Sequence, residues 1–121
     1  MTRSIRSVRI TDSTEKPGKR AKAVFTFDDG KGLTRYFGAA GSNGTYYDGA
    51  PRSKRDAYLA RHRVNEDWSD VTSPGFLSRY VLWESADKVL DIIKQKTKTD
   101  DVKIKLKKIK VVERPGSKKK S

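Results

Sequence analysis

The 121-residue sequence predicts a small α+β domain. In it, an antiparallel sheet, made of a central hairpin and a terminal strand, packs against two or three helices. Three observations predict this class. Residues 21–37 alternate apolar and polar side chains around a Gly-rich turn, residues 53–96 hold three helically spaced stretches behind capping residues, and residues 102–112 return to alternation.

The elements follow in order. Residues 4–10 set Val8 and Ile10 on one side and Arg9 on the other, which predicts a short strand. Lys16-Pro17-Gly18-Lys19 is a turn or linker. In residues 21–27, Ala23, Phe25 and Phe27 share one face while Val24 and Thr26 share the other. Asp28-Asp29-Gly30-Lys31-Gly32 then reverses the chain, and residues 33–37 return as the partner strand. Residues 38–51 read as a long loop rich in Gly, Ser, Asn and Tyr. Its glycines at 38, 41 and 44 do not match the G-x-G-x-x-G dinucleotide fingerprint. Tyr46 and Tyr47, on this loop, are the candidates for a protein interface.

Ser53 is placed to cap a helix over 53–64, with Asp56 near its start and Tyr58, Leu59 and His62 turned inward. Ser73-Pro74 opens a helix over 74–84. Phe76, Leu77, Tyr80, Val81, Leu82 and Trp83 make it the central core element. Ser85 is placed to cap a third helix over 86–96 that buries Val89, Leu90 and Ile93, with Lys94, Lys96 and Lys98 suited to its C-terminal dipole. In residues 102–112 the apolar positions are 102, 104 and 106, then 109 and 111. A β-bulge at Lys107-Lys108 would return both halves to one face and gather Lys103, Lys105 and Lys110 on the other. The sequence from Arg114 reads as a tail.

Charge divides the chain further. The formal net charge is +13, from 28 basic and 15 acidic residues. Residues 1–20 carry +4 and read as a basic N-terminal arm. Residues 21–102 carry +1 and form the compact body, and residues 103–121 carry +8 as a lysine-rich strand and tail. A polyanion partner is therefore expected at the ends. Its candidate contacts are Arg3, Arg6 and Arg9 on one side and Lys103, Lys105, Lys107, Lys108, Lys110, Arg114, Lys118, Lys119 and Lys120 on the other.

Catalytic chemistry finds no foothold. With no cysteine and one histidine, thiolate sites and histidine-rich metal sites are excluded. Asp28-Asp29 reads as turn chemistry rather than a catalytic pair. His62 has no partner motif, and no P-loop or H-E-x-x-H is present. No enzyme activity, cofactor, metal or small-molecule substrate is expected. Neither a membrane-spanning run nor a signal-peptide pattern stands out, so an intracellular setting is expected.

The middle of the chain carries a resemblance. Phe37-Gly38-Ala39-Ala40-Gly41, Tyr58-Leu59-Ala60-Arg61-His62-Arg63, Asn65-Glu66-Asp67-Trp68 and Gly75-Phe76-Leu77-Ser78-Arg79-Tyr80-Val81-Leu82-Trp83 follow one another. The strand ending in Phe27-Asp28-Asp29-Gly30 precedes them. Over about residues 22–84 this resembles a family of short, functionally uncharacterised proteins encoded by large DNA viruses of algae and protists, of the chlorovirus and mimivirus kind. The resemblance brings no catalytic residues. It implies a viral setting, in the virion and in the host cytoplasm or nucleus during assembly. Physically, the motifs read as two helix faces packed on each other and on the hairpin, with Arg61 and Arg79 paired to Glu66, Asp67 or Asp70. The expected function is a non-enzymatic structural protein of the virus particle, such as a minor capsid component. Its body would dock on other virion or capsid proteins, and its basic ends would contact neighbours or genome. The alternative is a nucleic-acid-binding protein that coats or condenses viral DNA or RNA.

Overall fold

A computed structural model describes residues 4–39, 44–63 and 68–109. It bears out the α+β class. Strands β1 (Ile5–Asp12), β2 (Lys19–Phe27) and β3 (Gly32–Ala39) are followed by a 3₁₀ turn (Tyr46–Asp48) and α1 (Arg52–His62). Then come α2 (Pro74–Leu77), a π-helical turn (Ser78–Leu82), α3 (Ala86–Thr97) and β4 (Val102–Lys105). The strands lie in the order β3-β2-β1-β4.

The hairpin forms where alternation places it. Phe25 stands opposite Leu33 and Ala21 opposite Phe37, and all but Leu33 of these four are fully buried. Gly30 adopts φ 88°, the left-handed conformation the turn needs. Asp29 Oδ1 accepts from the Lys31 N–H at 3.0 Å, so this carboxylate builds the turn.

One expectation about the sheet is corrected: it is mixed rather than antiparallel, because β4 runs parallel to β1. The chain leaves α3 through Lys98 at φ 60°, and the Thr99 hydroxyl donates to the Arg6 carbonyl at 2.9 Å. β4 thus starts beside the beginning of β1 and must run with it. The short strand expected over residues 4–10 forms as β1, and it lies inside the sheet with β2 on one edge and β4 on the other.

The bulge expected at 107–108 is not formed. Pairing ends at Lys105, opposite Thr11, and the Lys107 N–H donates to the Asp12 carboxylate instead of a strand carbonyl. The slip in the apolar pattern is resolved by leaving the ladder. Leu106 is buried and Ile109 half-buried, with Lys107 and Lys108 exposed between them. The rest of that expected strand, from Lys110, lies outside the described residues.

The sheet's inner face carries Val8, Ile10, Ala21, Ala23, Phe25 and Phe37 against Phe76, Leu77, Val81, Leu82, Val89 and Ile93 from the helices. Ser73 caps α2 as expected, its Oγ accepting from the Phe76 N–H at 3.1 Å. The helix over 74–84 instead widens after Leu77 into a π turn, closed by Trp83 N–H donating to the Ser78 carbonyl at 3.1 Å. That turn places Trp83 on the Tyr58 ring at 4.4 Å and 11°, and His62 stacks on the other side of Tyr58 at 4.2 Å. The two helix faces therefore meet as expected, through aromatic stacking.

Smaller corrections concern helix ends and faces. Pro51, not Ser53, occupies the N-cap of α1, and Ser85 caps α3 without a side-chain bond. Leu90 is 38% exposed rather than buried beside Val89 and Ile93. Arg79 pairs with Glu84 at 3.4 Å and lies over the Trp68 and Tyr80 rings, while Asp70 accepts from Thr72. Glu66 and Asp67, the other partners expected for Arg61 and Arg79, lie outside the described residues.

Gly38 has φ +79°, and a Cβ there would stand 2.6 Å from Leu82 Cδ1 and 2.9 Å from Arg20 Cβ. At Gly30 (φ +88°) a Cβ would meet nothing within 4 Å. Gly30→Ala should therefore cost about 1 kcal/mol from backbone conformation alone. Gly38→Ala should cost more, about 2–4 kcal/mol, because overpacking adds to the strain. Urea denaturation of the two variants checks this ordering.

Candidate polyanion-binding face

Alternation leaves the outer face of the sheet to β-strand residues that the helices do not cover. Strand register arranges them in two rows. One row runs Lys103, Arg9, Val24, Thr34, and the next runs Lys105, Thr11, Lys22, Tyr36. Lys103, Lys105 and Arg9 are exposed, and Lys22 is half-buried. Parallel pairing of β4 with β1 creates this grouping, because it sets Arg9 directly beside Lys103 across strands about 4.8 Å apart. Lys103 and Lys105, two residues apart, project from the same side of β4 about 6.6 Å from each other.

One corner of the face is neutralised. Lys22 Nζ donates to Glu15 Oε2 at 2.7 Å, and the Tyr36 hydroxyl donates to the same oxygen at 3.0 Å. The bond from Lys22, with help from the Glu15 backbone and Tyr36, draws the Glu15 carboxyl down to about 2. The same bonds push Lys22 and Tyr36 up. Arg9, Lys103 and Lys105 stand at the β1–β4 side, and Lys107 and Lys108 follow them along the chain.

The expected contacts divide accordingly. Arg9, Lys103 and Lys105 come together on the outer face, and Lys107 and Lys108 follow beyond β4. Arg6 is exposed at the irregularity near the start of β1. Arg3, Lys110, Arg114, Lys118, Lys119 and Lys120 lie outside the described residues. Tyr46 and Tyr47 do not form an exposed pair. Tyr47 is buried with its hydroxyl donating to the Leu106 carbonyl at 3.1 Å, and Tyr46 is half-buried under the Arg55 guanidinium.

What holds the lysine segment in place was not visible as a motif. Arg20 is buried, with Nη1 donating to Asp12 Oδ1 at 2.9 Å and Nη2 to Asp48 Oδ1 at 3.1 Å. Nη2 also donates to the Lys107 carbonyl. The Asp48 side chain is fully buried, and its Oδ1 accepts from the Ile109 N–H at 2.6 Å. Its Oδ2 accepts from the Thr45 N–H and hydroxyl, each at 2.9 Å. Burial alone would push the Asp48 carboxyl up, but the bonds from Ile109 and Thr45 and the Arg20 charge hold it below the usual carboxylate range. The one available signal was Thr45-Tyr46-Tyr47-Asp48, a Thr followed at the third position by an acid, as in a helix-start capping pattern.

The chain is similar to an uncharacterized protein of Acanthamoeba polyphaga mimivirus, with 50% identity over 82 residues, 63% of this chain and 80% of the relative. No protein-family model matches the sequence. No solved structure matches it.

Asp48→Asn removes the charge opposite buried Arg20 and should cost about 3 kcal/mol in chemical denaturation, the scale of breaking one side of a buried pair. Because the folded Asp48 carboxyl titrates below its unfolded value, its contribution is fully present above the ordinary carboxylate range. It is lost as pH falls through the depressed folded value. The Ile109 amide resonance should therefore hold its position to lower pH than exposed carboxylates titrate, then shift. In Asp48→Asn it should show no such transition.

Proposed function

Because the chain belongs to the family of large-DNA-virus proteins represented by that mimivirus relative, we propose that it is a non-enzymatic protein that binds viral nucleic acid through the outer face of its sheet. The observation that carries this reading is the register that sets Arg9 beside Lys103 and Thr11 beside Lys105, with Lys107 and Lys108 immediately after. A line of cations on a rigid sheet neutralises successive phosphates without reading base identity. Phosphate contacts of this kind carry no base identity, so binding is expected to tolerate any sequence and to accept DNA or RNA. The described residues contain no group of three metal-ligating side chains. Among them, no helix is long and apolar enough to cross a membrane.

The same reading includes a part in particle assembly, for which the viral relative is the support. In that setting the protein is a minor virion component, acting in host cytoplasm or nucleus before packaging. The fold supports such a role by holding the cations on a sheet that is braced from its other side by the helices.

Binding to a single-stranded DNA oligonucleotide, titrated from low to high salt, tests the reading. Affinity should fall steeply with salt. Arg9→Gln, Lys103→Gln and Lys105→Gln combined should lower the magnitude of the log–log slope by about 2–3, one phosphate each. A slope unchanged by the triple variant, with folding intact, would overturn the proposal.

A further inference from the structure

The sheet ends at β4, and among the described residues no strand pairs with its outer edge. The Val8 N–H donates to the Asp101 carbonyl at 2.9 Å, which fixes the parity of the ladder. Residues 101, 103 and 105 turn their amides toward β1, so Val102 and Ile104 turn theirs outward. Beside this edge lies a groove of about 360 Å³ between β4 and α3, lined by Val89, Leu90, Val102 and Ile104 and also by Lys103 and Lys105. Leu90 is the large apolar side chain left exposed among the described residues, and it lies in this groove.

We propose that this edge receives an extended peptide of a partner protein, added as a fifth strand, with alternating apolar and acidic side chains. The two faces of the sheet dictate that alternation. Side chains of an added strand that turn inward meet the Leu90 groove, and those that turn outward stand beside Lys103 and Lys105. A second copy of the chain fits poorly, because pairing this edge with itself would bring Lys103, Lys105, Lys107 and Lys108 against their own counterparts. The edge is therefore protected against self-association and complementary to acid. The added strand would share Lys103 and Lys105 with the nucleic-acid face, whereas its apolar contact, Leu90, lies on the helical side of the sheet, so a Leu90 variant separates the two readings.

The probe is a fluorescent peptide of alternating Val and Glu, titrated into the full-length protein, with a peptide of alternating Val and Lys as control. The acidic peptide should bind and the basic one should not. On binding, the Val102 and Ile104 amides should gain protection from hydrogen exchange. Leu90→Glu, at an exposed position, should weaken the peptide at least tenfold while leaving the affinity for DNA unchanged. Ile104→Pro, which removes an outward N–H and spares the β1 ladder, should do the same. Equal binding of both peptides, affinity unchanged by Leu90→Glu, or a dimer built through this edge would each overturn the proposal.

Discussion

The Arg20 guanidinium is the constraint on which the placement of the C-terminal segment depends. It sits inside the protein with Asp12 on one side and Asp48 on the other, and it also holds the Lys107 carbonyl. Each carboxylate then captures a backbone N–H of the departing chain, Asp12 from Lys107 and Asp48 from Ile109. One buried cation and two anions thus replace the strand partner that β4 would need to continue. A buried ion pair is a weak source of net stability compared with apolar packing. Its value here is positional, since it fixes where a strongly basic stretch leaves the sheet. The buried Tyr47 hydroxyl on the Leu106 carbonyl holds the same stretch from below.

That positioning explains why the charge is better described by strand than by terminus. Split along the chain, a nearly neutral body stands between two basic ends. In the fold, the N-terminal segment becomes an inner strand and the C-terminal one pairs beside it in parallel. Arg9 and Lys103, 94 positions apart in the sequence, become neighbours on one rigid surface. Glu15 offsets Lys22 at the far corner of that surface. The opposite face of the same sheet is apolar and closed by the helices, apart from the groove at Leu90.

Much of this was legible in the sequence, and for local reasons. Period-two alternation with Asp29 and Gly30 at the turn specified the hairpin, and Ser73-Pro74 specified the start of α2. The missed features are those set by distant residues. The direction of β4 depends on where α3 ends, through Lys98 and Thr99, and alternation within residues 102–106 is the same for a parallel or an antiparallel partner. The slip at Lys107-Lys108 points to a bulge in the sequence because a pattern records which residues are apolar, not which carboxylate will accept the next N–H. Leu90 has the helical spacing of a core residue, but β4 stops short of covering it. Tyr47 sits in a Gly-rich stretch whose composition suggests exposure, but the 3₁₀ turn folds its ring inward and its hydroxyl onto the Leu106 carbonyl. At the candidate site, the lysines and Arg9 were visible as charge, whereas Arg20 and Asp48 carried no pattern beyond Thr45-x-x-Asp48.

The central claim is that one sheet face, assembled by the parallel β1–β4 register, is the nucleic-acid surface. The most direct measurement is amide chemical-shift mapping of the full-length protein during titration with a single-stranded DNA oligonucleotide. Perturbations clustered on Arg9, Thr11, Lys103 and Lys105, with the inner face and α1 silent, are the predicted result. Perturbations confined to the helical side, with those four residues unmoved, would contradict it.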